Sequence, residues 1–323
     1  MKTYKLTVLL IVVLFFIASC SKPNNADNSL PPPLPDTLSS GWTKHDVDPG
    51  GVQLFDVFFA DASKGYCISG NNIYRTADGG TNWTKIFTAS NLTNIAAYGN
   101  NACFVNHSNT IYYTSDGGAT VQMQQYFNSP PSNKPAFTDV FYTKTGTCFA
   151  SSEYNFYKST NGGASFDSIS TFINHSSSLN NLSFSSETVG WMAREEGIYQ
   201  TNNGGLSWLR NTNAVAKEPI LVSFFSASVG YYSTKGKLYR TGDGGNSWQL
   251  VFNLGADYYV DFDIIDDQTV YLCAGNRVYK TVNGGTQWNV VAALGQSVIF
   301  EIHFINANKG WACSSNGTIL RFN

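Results

Sequence analysis

Charge is scarce in this 323-residue chain. Lys, Arg, Asp and Glu make up 13% of it, 20 basic against 22 acidic residues, for a formal net charge of −2. A nucleic-acid partner needs a basic footprint that this composition does not supply, so that class is excluded. Histidine is rarer, and His45, His107, His175 and His303 show no metal-ligand spacing. There is no Gly-x-Ser-x-Gly elbow and no phosphate-cradling Gly-Lys-Ser/Thr loop, so no cofactor and no metal is expected. Helical periodicity is missing beyond the first twenty residues. Cysteine is sparse: after Cys20 there remain Cys67, Cys103, Cys148, Cys273 and Cys313, an odd number. Each stands in the same part of a repeat, and repeat geometry holds equivalent positions apart. Buried free thiols are therefore expected, and a disulfide framework is not.

The N-terminus is a targeting segment. Lys2 and Lys5 form a basic start, and Leu6–Ile17 is an apolar run too short for a comfortable membrane span. Ile17-Ala18-Ser19-Cys20 resembles the lipobox of bacterial lipoproteins, which implies a signal peptide over 1–19 and a lipid on Cys20. Ser21 rather than Asp follows the cysteine, which points to the outer membrane of the cell envelope, with the occupied side left open. Residues 20–40 are rich in Pro, Asn and Ser and cannot bury a core, so they read as a tether ahead of a single domain at 41–323. Removal of Lys2 and Lys5 takes the formal charge from −2 to −4.

What the chain does have is glycine, 29 residues of it, concentrated in one recurring turn. Thr241–Trp248 reads TGDGGNSW. The same stretch returns as TADGGTNW, TSDGGATV, STNGGASF, TNNGGLSW and TVNGGTQW. Asp78, Asp116 and Asp243 alternate with Asn161, Asn203 and Asn283, and both side chains can bond backbone N–H groups further along the turn. The glycines supply the left-handed backbone that such a turn requires. Trp83, Trp208, Trp248 and Trp288 close four of the copies and are expected to be buried between neighbouring repeats.

A short apolar strand precedes each turn: Ile73-Tyr74-Arg75, Ile111-Tyr112-Tyr113, Phe156-Tyr157-Lys158, Ile198-Tyr199-Gln200, Leu238-Tyr239-Arg240 and Val278-Tyr279-Lys280. A seventh, Ile319-Leu320-Arg321, has no turn after it, and successive copies lie 38, 45, 42, 40, 40 and 41 residues apart. Further upstream stand Gly65-Tyr66, Gly190-Trp191, Gly230-Tyr231 and Gly310-Trp311, and before them another apolar run. Four strands in about 40 residues is the signature of a propeller blade. The unpaired Trp42-Thr43-Lys44 matches Trp83-Thr84-Lys85, so the N-terminal strand is expected to complete the last blade. The fold class is all-β, a seven-bladed β-propeller of four-stranded antiparallel blades closed by the Trp42 region.

The S/T-x-D-x-G-x-S/T-W turn resembles the Asp-box, or bacterial neuraminidase repeat. The whole period over 41–323 is similar to propellers related to the photosystem II assembly and stability factor, and more distantly to the sialidase superfamily. The resemblance implies that the Asp-box residues are scaffold. It also implies that ligands meet the face opposite those turns, where the loops lead into the innermost strands.

Aligned inner strands give one polar column, Asp56, Asn94, Asp139, Asn181, Leu221, Asp261 and Glu301. A second column, two residues on, contains Asp263 and His303. Period-two alternation puts these groups on one side of the strands, around the central channel. One reading is an acidic ring for a cation, a sugar or a basic peptide. The other is that the groups cap strand ends and bind channel water. Arg194, in the charged run Arg194-Glu195-Glu196, is a further candidate contact. Gln122–Ala136, carrying Tyr126 and Phe127, reads as the longest loop on this face. Together these features indicate a non-catalytic binding or assembly module for a protein or glycan partner, tied to a membrane by its lipid. The alternative is a glycoside hydrolase of the Asp-box superfamily using two of the channel carboxylates.

Overall fold

The computed structural model describes residues 36–47, 51–126, 136–171, 180–214, 218–255 and 258–323. They form strands and turns, with no helix among them. Cys20 and the signal segment lie outside the described residues. Seven antiparallel sheets follow one another as blades 1 to 7, over 54–88, 92–125, 137–171, 180–210, 221–253, 260–293 and 299–322. The inner strand of each blade packs on the next around a full circle, including 299–306 of blade 7 on 54–59 of blade 1. The seven-bladed propeller read from the repeats is the observed fold.

Closure occurs as the Trp42 segment indicates. Strand β1 (Thr37–Leu38) and strand β2 (Trp42–Asp46) precede the blades. β2 pairs antiparallel with the last strand of the chain, Trp42 opposite Phe322 and Asp46 opposite Thr318. Trp42 is buried against Phe304 and Phe322, with ring centroids 6.1 and 5.2 Å apart. β1 is an addition that the sequence did not announce. Thr37 and Leu38, assigned to the tether, pair with Ala293 and Ala292 as a fifth strand on blade 6, and the Ser39 N–H donates to the Val291 carbonyl at 3.3 Å. The N-terminal segment thus straps blade 6 to blade 7. The expected long loop at Gln122 also begins later than read, because Gln122–Gln125 is the outer strand of blade 2.

Each glycine turn is held from inside. In the copy at 241–248, the Thr241 hydroxyl donates to Asp243 Oδ1 (2.7 Å) and accepts the Gly245 N–H (2.9 Å). Asp243 accepts the Ser247 N–H (2.8 Å) and the Ser247 hydroxyl (2.6 Å). Asn203 keeps this pattern with one polarity reversed: its Oδ1 accepts the Ser207 N–H (3.0 Å), while its Nδ2 donates to the Ser207 hydroxyl (2.8 Å). A side chain able to reverse one bond preserves the whole turn, which is why Asp and Asn interchange here. Gly244 and Gly245 both have left-handed φ, 73° and 93°.

The tryptophans of these turns are half-buried rather than buried, a correction to the expectation above. They stand immediately before the outermost strands, and each presses edge-on against a neighbouring ring. Centroid distances are 5.8 Å for Trp83 on Phe59, 5.1 Å for Trp208 on Phe156, 4.6 Å for Trp248 on Tyr232 and 5.5 Å for Trp288 on Phe252.

The fully buried anchors between blades stand at the aromatic position of the glycine–aromatic pairs or at its counterpart in the other blades. Trp311 of blade 7 stacks on Phe59 of blade 1 at 3.4 Å, and Trp191 of blade 4 on Phe224 of blade 5 at 3.5 Å. Tyr271 and Phe149 stack likewise on Phe304 (3.8 Å) and Phe184 (4.2 Å). Each of these phenylalanines stands at or near the end of an inner strand, over the glycine opposite it, Gly65, Gly190, Gly230 or Gly310, where an added Cβ would sit 2.3–2.5 Å from the ring. Where the glycine is absent the covering residue changes too: Ala102 faces Ala97 and Val270 faces Ile264. Basic side chains lie over the same aromatics from outside, Lys280 on Tyr271 at 4.9 Å and Arg240 on Tyr231 at 5.9 Å. We therefore expect Gly230→Ala to cost about 1–3 kcal/mol through overpacking against Phe224. Gly242→Ala, whose Cβ would meet nothing nearer than Arg240 Nη1 at 3.6 Å, should be neutral. Denaturant midpoints of the two variants check this, and equal midpoints would contradict the steric account.

Candidate functional site

An inner strand has one edge without a strand partner, and its N–H groups turn toward the channel. Buried N–H groups need acceptors. The polar column supplies them across the seams between blades. Asp56 Oδ2 accepts the Ile95 N–H, Asp139 Oδ2 the Leu182 N–H and Asp261 Oδ2 the Ile302 N–H, each at 2.7 Å. Asn181 Oδ1 accepts the Val222 N–H at 2.8 Å. The second column does the same one step deeper: Ser183 Oγ accepts the Phe224 N–H (3.0 Å) and Asp263 Oδ2 the Phe304 N–H (2.6 Å). Every one of these bonds runs from a side chain of one blade to the backbone of the next.

His303 extends the chain of contacts. A carbonyl can only accept, so the Nε2 of His303, 3.1 Å from the Phe59 carbonyl, carries a proton and donates it across the closing seam. Its Nδ1 lies 3.6 Å from Asp263 Oδ2, and its ring stacks on Phe58 at 4.2 Å. Blades 6, 7 and 1 are linked in this way through Asp263, His303 and Phe59. Arg194 does not join the channel groups. It is buried at the end of a blade 4 strand, with Nε 3.4 Å from Glu196 Oε2.

Burial sets the protonation of the column. It pushes Asp56 up to about 7 and Asp139 up to about 8, against the lowering effect of their backbone hydrogen bonds. Asp261 and Glu301 are raised well above the carboxylate range, again mainly by burial and, for Glu301, next by the neighbouring Asp261 carboxyl. Burial also raises Asp263 and lowers His303. Around neutrality the column therefore carries far less negative charge than its composition suggests. The turn aspartates behave in the opposite way, Asp78 and Asp243 falling to about 2 because they accept several hydrogen bonds.

The sign for stability follows. A carboxyl whose pKa is higher folded than unfolded adds stability below its unfolded value and loses it as pH rises through the folded value. For Asp139 that window runs from about 4 to about 8. His303, lowered by burial, acts oppositely and loses its contribution as pH falls below about 6.5. Asp139→Asn removes the titration and keeps an acceptor for Leu182, the role Asn181 already plays for Val222, at the loss of the oxygen that accepts the Val140 N–H at 2.9 Å. Its gain in melting temperature should be largest at pH 8, smaller at pH 5 and least below about pH 4, where the carboxyl is protonated in both states. Thermal melts across that range test it, and an equal shift at every pH would defeat the assignment.

The mouth of the channel adds residues that the columns missed. Phe55 and Phe300 sit at β-bulges, directly before Asp56 and Glu301, and stack at 6.3 Å across the closing seam. Phe55 is 36% exposed and Tyr259, within electrostatic reach of Glu301 and Asp261, is 41% exposed. An aromatic adjoining an acidic column residue was the available signal, but a bulge that turns it outward is not visible in the sequence. Among the described residues no group of three or more His, Cys, Asp or Glu is arranged to hold a metal ion.

A ring of seven sheets whose channel polar groups bond neighbouring backbone defines this chain as a propeller built on an interlocked scaffold. The chain matches no family model and no curated protein. Among solved structures it is similar to YCF48 bound to a D1 peptide, at 17% identity and TM-score 0.72, covering 89% of this chain and 98% of that one. YCF48 from Cyanidioschyzon merolae is similar at 16% identity and TM-score 0.71, covering 88% and 99%. A GH74 enzyme from Niastella koreensis matches at 14% identity and TM-score 0.67 over 86% of this chain, which spans 53% of that enzyme. At such identities the likeness is one of fold.

Proposed function

We propose that this chain is a non-catalytic binding module. A lipid on Cys20 holds it in the cell envelope, at the outer membrane, and it takes a protein segment at the channel mouth opposite the glycine turns. The observation that carries this reading is the use made of the channel acids. Asp56, Asp139, Asp261 and Asp263 each hold the backbone of the next blade, which is a scaffold task. What remains at the mouth is recognition surface: Phe55, Phe300 and Tyr259, rigid aromatics of the kind that anchor protein interfaces. The similar YCF48 fold, solved with a peptide, supports a protein partner over a glycan.

The hydrolase alternative rests on Asp261 and Glu301. Asp261 is 3% exposed and accepts the Ile302 N–H at 2.7 Å, so it is committed to the neighbouring blade. A glycosidase needs its pair about 5–9.5 Å apart, flanking a bond in an open cleft.

Affinity capture from detergent-solubilised membranes tests the proposal, with the lipidated full chain as bait and a glycan array run in parallel. A protein should be retained by the wild type and lost at least about tenfold by Phe55→Ala/Phe300→Ala with an unchanged melting temperature. Glycan binding without protein capture would replace the partner class. Oligosaccharide cleavage abolished by Glu301→Gln would replace the whole reading.

A further inference from the structure

Six of the seven seams carry an aromatic residue one step after the glycine, or its counterpart, in the blade's second strand, facing the next blade: Tyr66, Phe149, Trp191, Tyr231, Tyr271 and Trp311. The seam between blades 2 and 3 is the exception, because Cys103 stands there. The position it faces is altered as well. Blade 3 has Cys148 where blades 1, 4, 5 and 7 have glycine, opposite Tyr142 where those blades have phenylalanine. The two cysteines are therefore not repeat equivalents. All five described cysteines are free and buried, as expected, but these two do not occupy equivalent places: an offset of one residue sets both beside Tyr142 at the seam.

Their surroundings are closed and specific. Cys103, Tyr142 and Cys148 lie in one buried cluster, both cysteines without measurable exposure. The Tyr142 hydroxyl donates to the Gly162 carbonyl at 2.9 Å, which leaves its oxygen to accept from the Cys103 thiol at 3.2 Å. Cys148 is the cross-strand partner of Tyr142, and burial first and then the neighbouring Cys103 push its thiol up. Above Cys103 there is no spare volume: a Cβ on Gly163 would approach its sulfur to 2.2 Å. Cys273 and Cys313 differ, both occupying the same strand position, opposite Asp261 and Glu301 in blades 6 and 7.

We propose that Cys103 and Cys148 are a modification site, closing a disulfide across the seam between blades 2 and 3 when a disulfide donor is present. Sheets packed about 10 Å apart can be bridged in this way, as between the two sheets of an immunoglobulin sandwich. The chemistry is thiol–disulfide exchange. One cysteine thiolate attacks a donor RSSR and releases one RSH, and the second thiolate then attacks the mixed disulfide and releases another. Two electrons pass to the donor, and both thiol protons end on the two RSH produced. Burial keeps Cys148 in its thiol form, so exchange is slow in the closed ring and proceeds as the seam forms during folding or opens. The bond stands where the other seams have an aromatic side chain, alongside the edge-on contact of Tyr126 with Phe137 at 5.3 Å.

The test uses the chain from residue 20 onward with Cys20→Ser, refolded in a mixture of oxidised and reduced glutathione. After acid quenching, unfolding and alkylation, peptide mass mapping should show a Cys103–Cys148 cross-link, with Cys67, Cys273 and Cys313 alkylated. The oxidised form should melt about 5–10 °C higher than the reduced form, a gain that dithiothreitol reverses. Cys103→Ser should abolish both the cross-link and the shift, and Cys273→Ser should leave both. Alkylation of all five cysteines after refolding would overturn the proposal, as would cross-links spread among other pairs. The mapping is done on unsubstituted partners, so it stands whether or not the Cys103 variant folds.

Discussion

Deleting residues 1–48 is expected to leave a protein that aggregates or melts far below the parent, whereas deleting residues 1–33 should change the melting temperature by no more than about 1–2 °C. The difference lies in two short strands. β2 gives blade 7 its fourth strand through a five-residue register with the end of the chain, and it brings Trp42 onto Phe304 and Phe322. Without it the strand at Thr318–Phe322 becomes an open edge with apolar rings beside it, the arrangement that natural sheets avoid. Loss of one buried tryptophan alone costs about 3–5 kcal/mol, a large share of the stability of any domain. An intermediate truncation separates the two strands. Deletion through residue 40 removes β1, its two register pairs with blade 6 and the Asp36–Lys44 ion pair, but keeps β2. It should lower the melting temperature modestly, since that ion pair is exposed and only two residues pair. Circular dichroism melts and light scattering on the three truncations would decide the matter. Equal behaviour of the 1–33 and 1–48 deletions would mean that the ring does not depend on its N-terminal strand.

The blade count and the closure were legible because both rest on local patterns repeated many times. A turn that needs two left-handed residues can be written with few residue types, so six copies at nearly constant spacing survive in plain view. β1 was hidden for the opposite reason: Thr37 and Leu38 form a two-residue pairing inside a Pro- and Ser-rich segment, too short to establish any alternation. The channel columns were legible as positions, because alternation along a strand fixes which residues share a side. Their chemistry was not. Whether a carboxylate faces a ligand or the N–H of the neighbouring blade depends on the seam between two sheets forty residues apart. The same limit concealed the shared surroundings of Cys103 and Cys148, where an offset of one residue within a repeat brings both beside Tyr142.

Trp311→Ala should be the most damaging single substitution in the ring, and more damaging than Trp248→Ala. Sequence alone ranks the two the other way, because Trp248 belongs to the recurring turn and Trp311 to a looser glycine–aromatic pair. The packing reverses that order. Trp311 is fully buried, lies flat on Phe59 at 3.4 Å, and donates its Nε1–H to the Gly79 carbonyl at 2.9 Å. That one side chain therefore joins the last blade to both the inner strand and the glycine turn of the first. Truncation opens a cavity at the closing seam and strips a buried carbonyl of its donor, for a loss of about 3–5 kcal/mol from the cavity and about 1–3 kcal/mol from the carbonyl, not fully additive. Trp248 is half-buried, meets Tyr232 and Phe224 edge-on at 4.6 and 6.0 Å, and can be replaced in part by water, so about half the cavity cost is expected. A double-mutant cycle with Phe59→Ala should return a coupling of about 1 kcal/mol for the Trp311–Phe59 stack. If Trp311→Ala cost no more than Trp248→Ala in matched denaturant titrations, the turns and not the stacked pairs would be what holds neighbouring blades together.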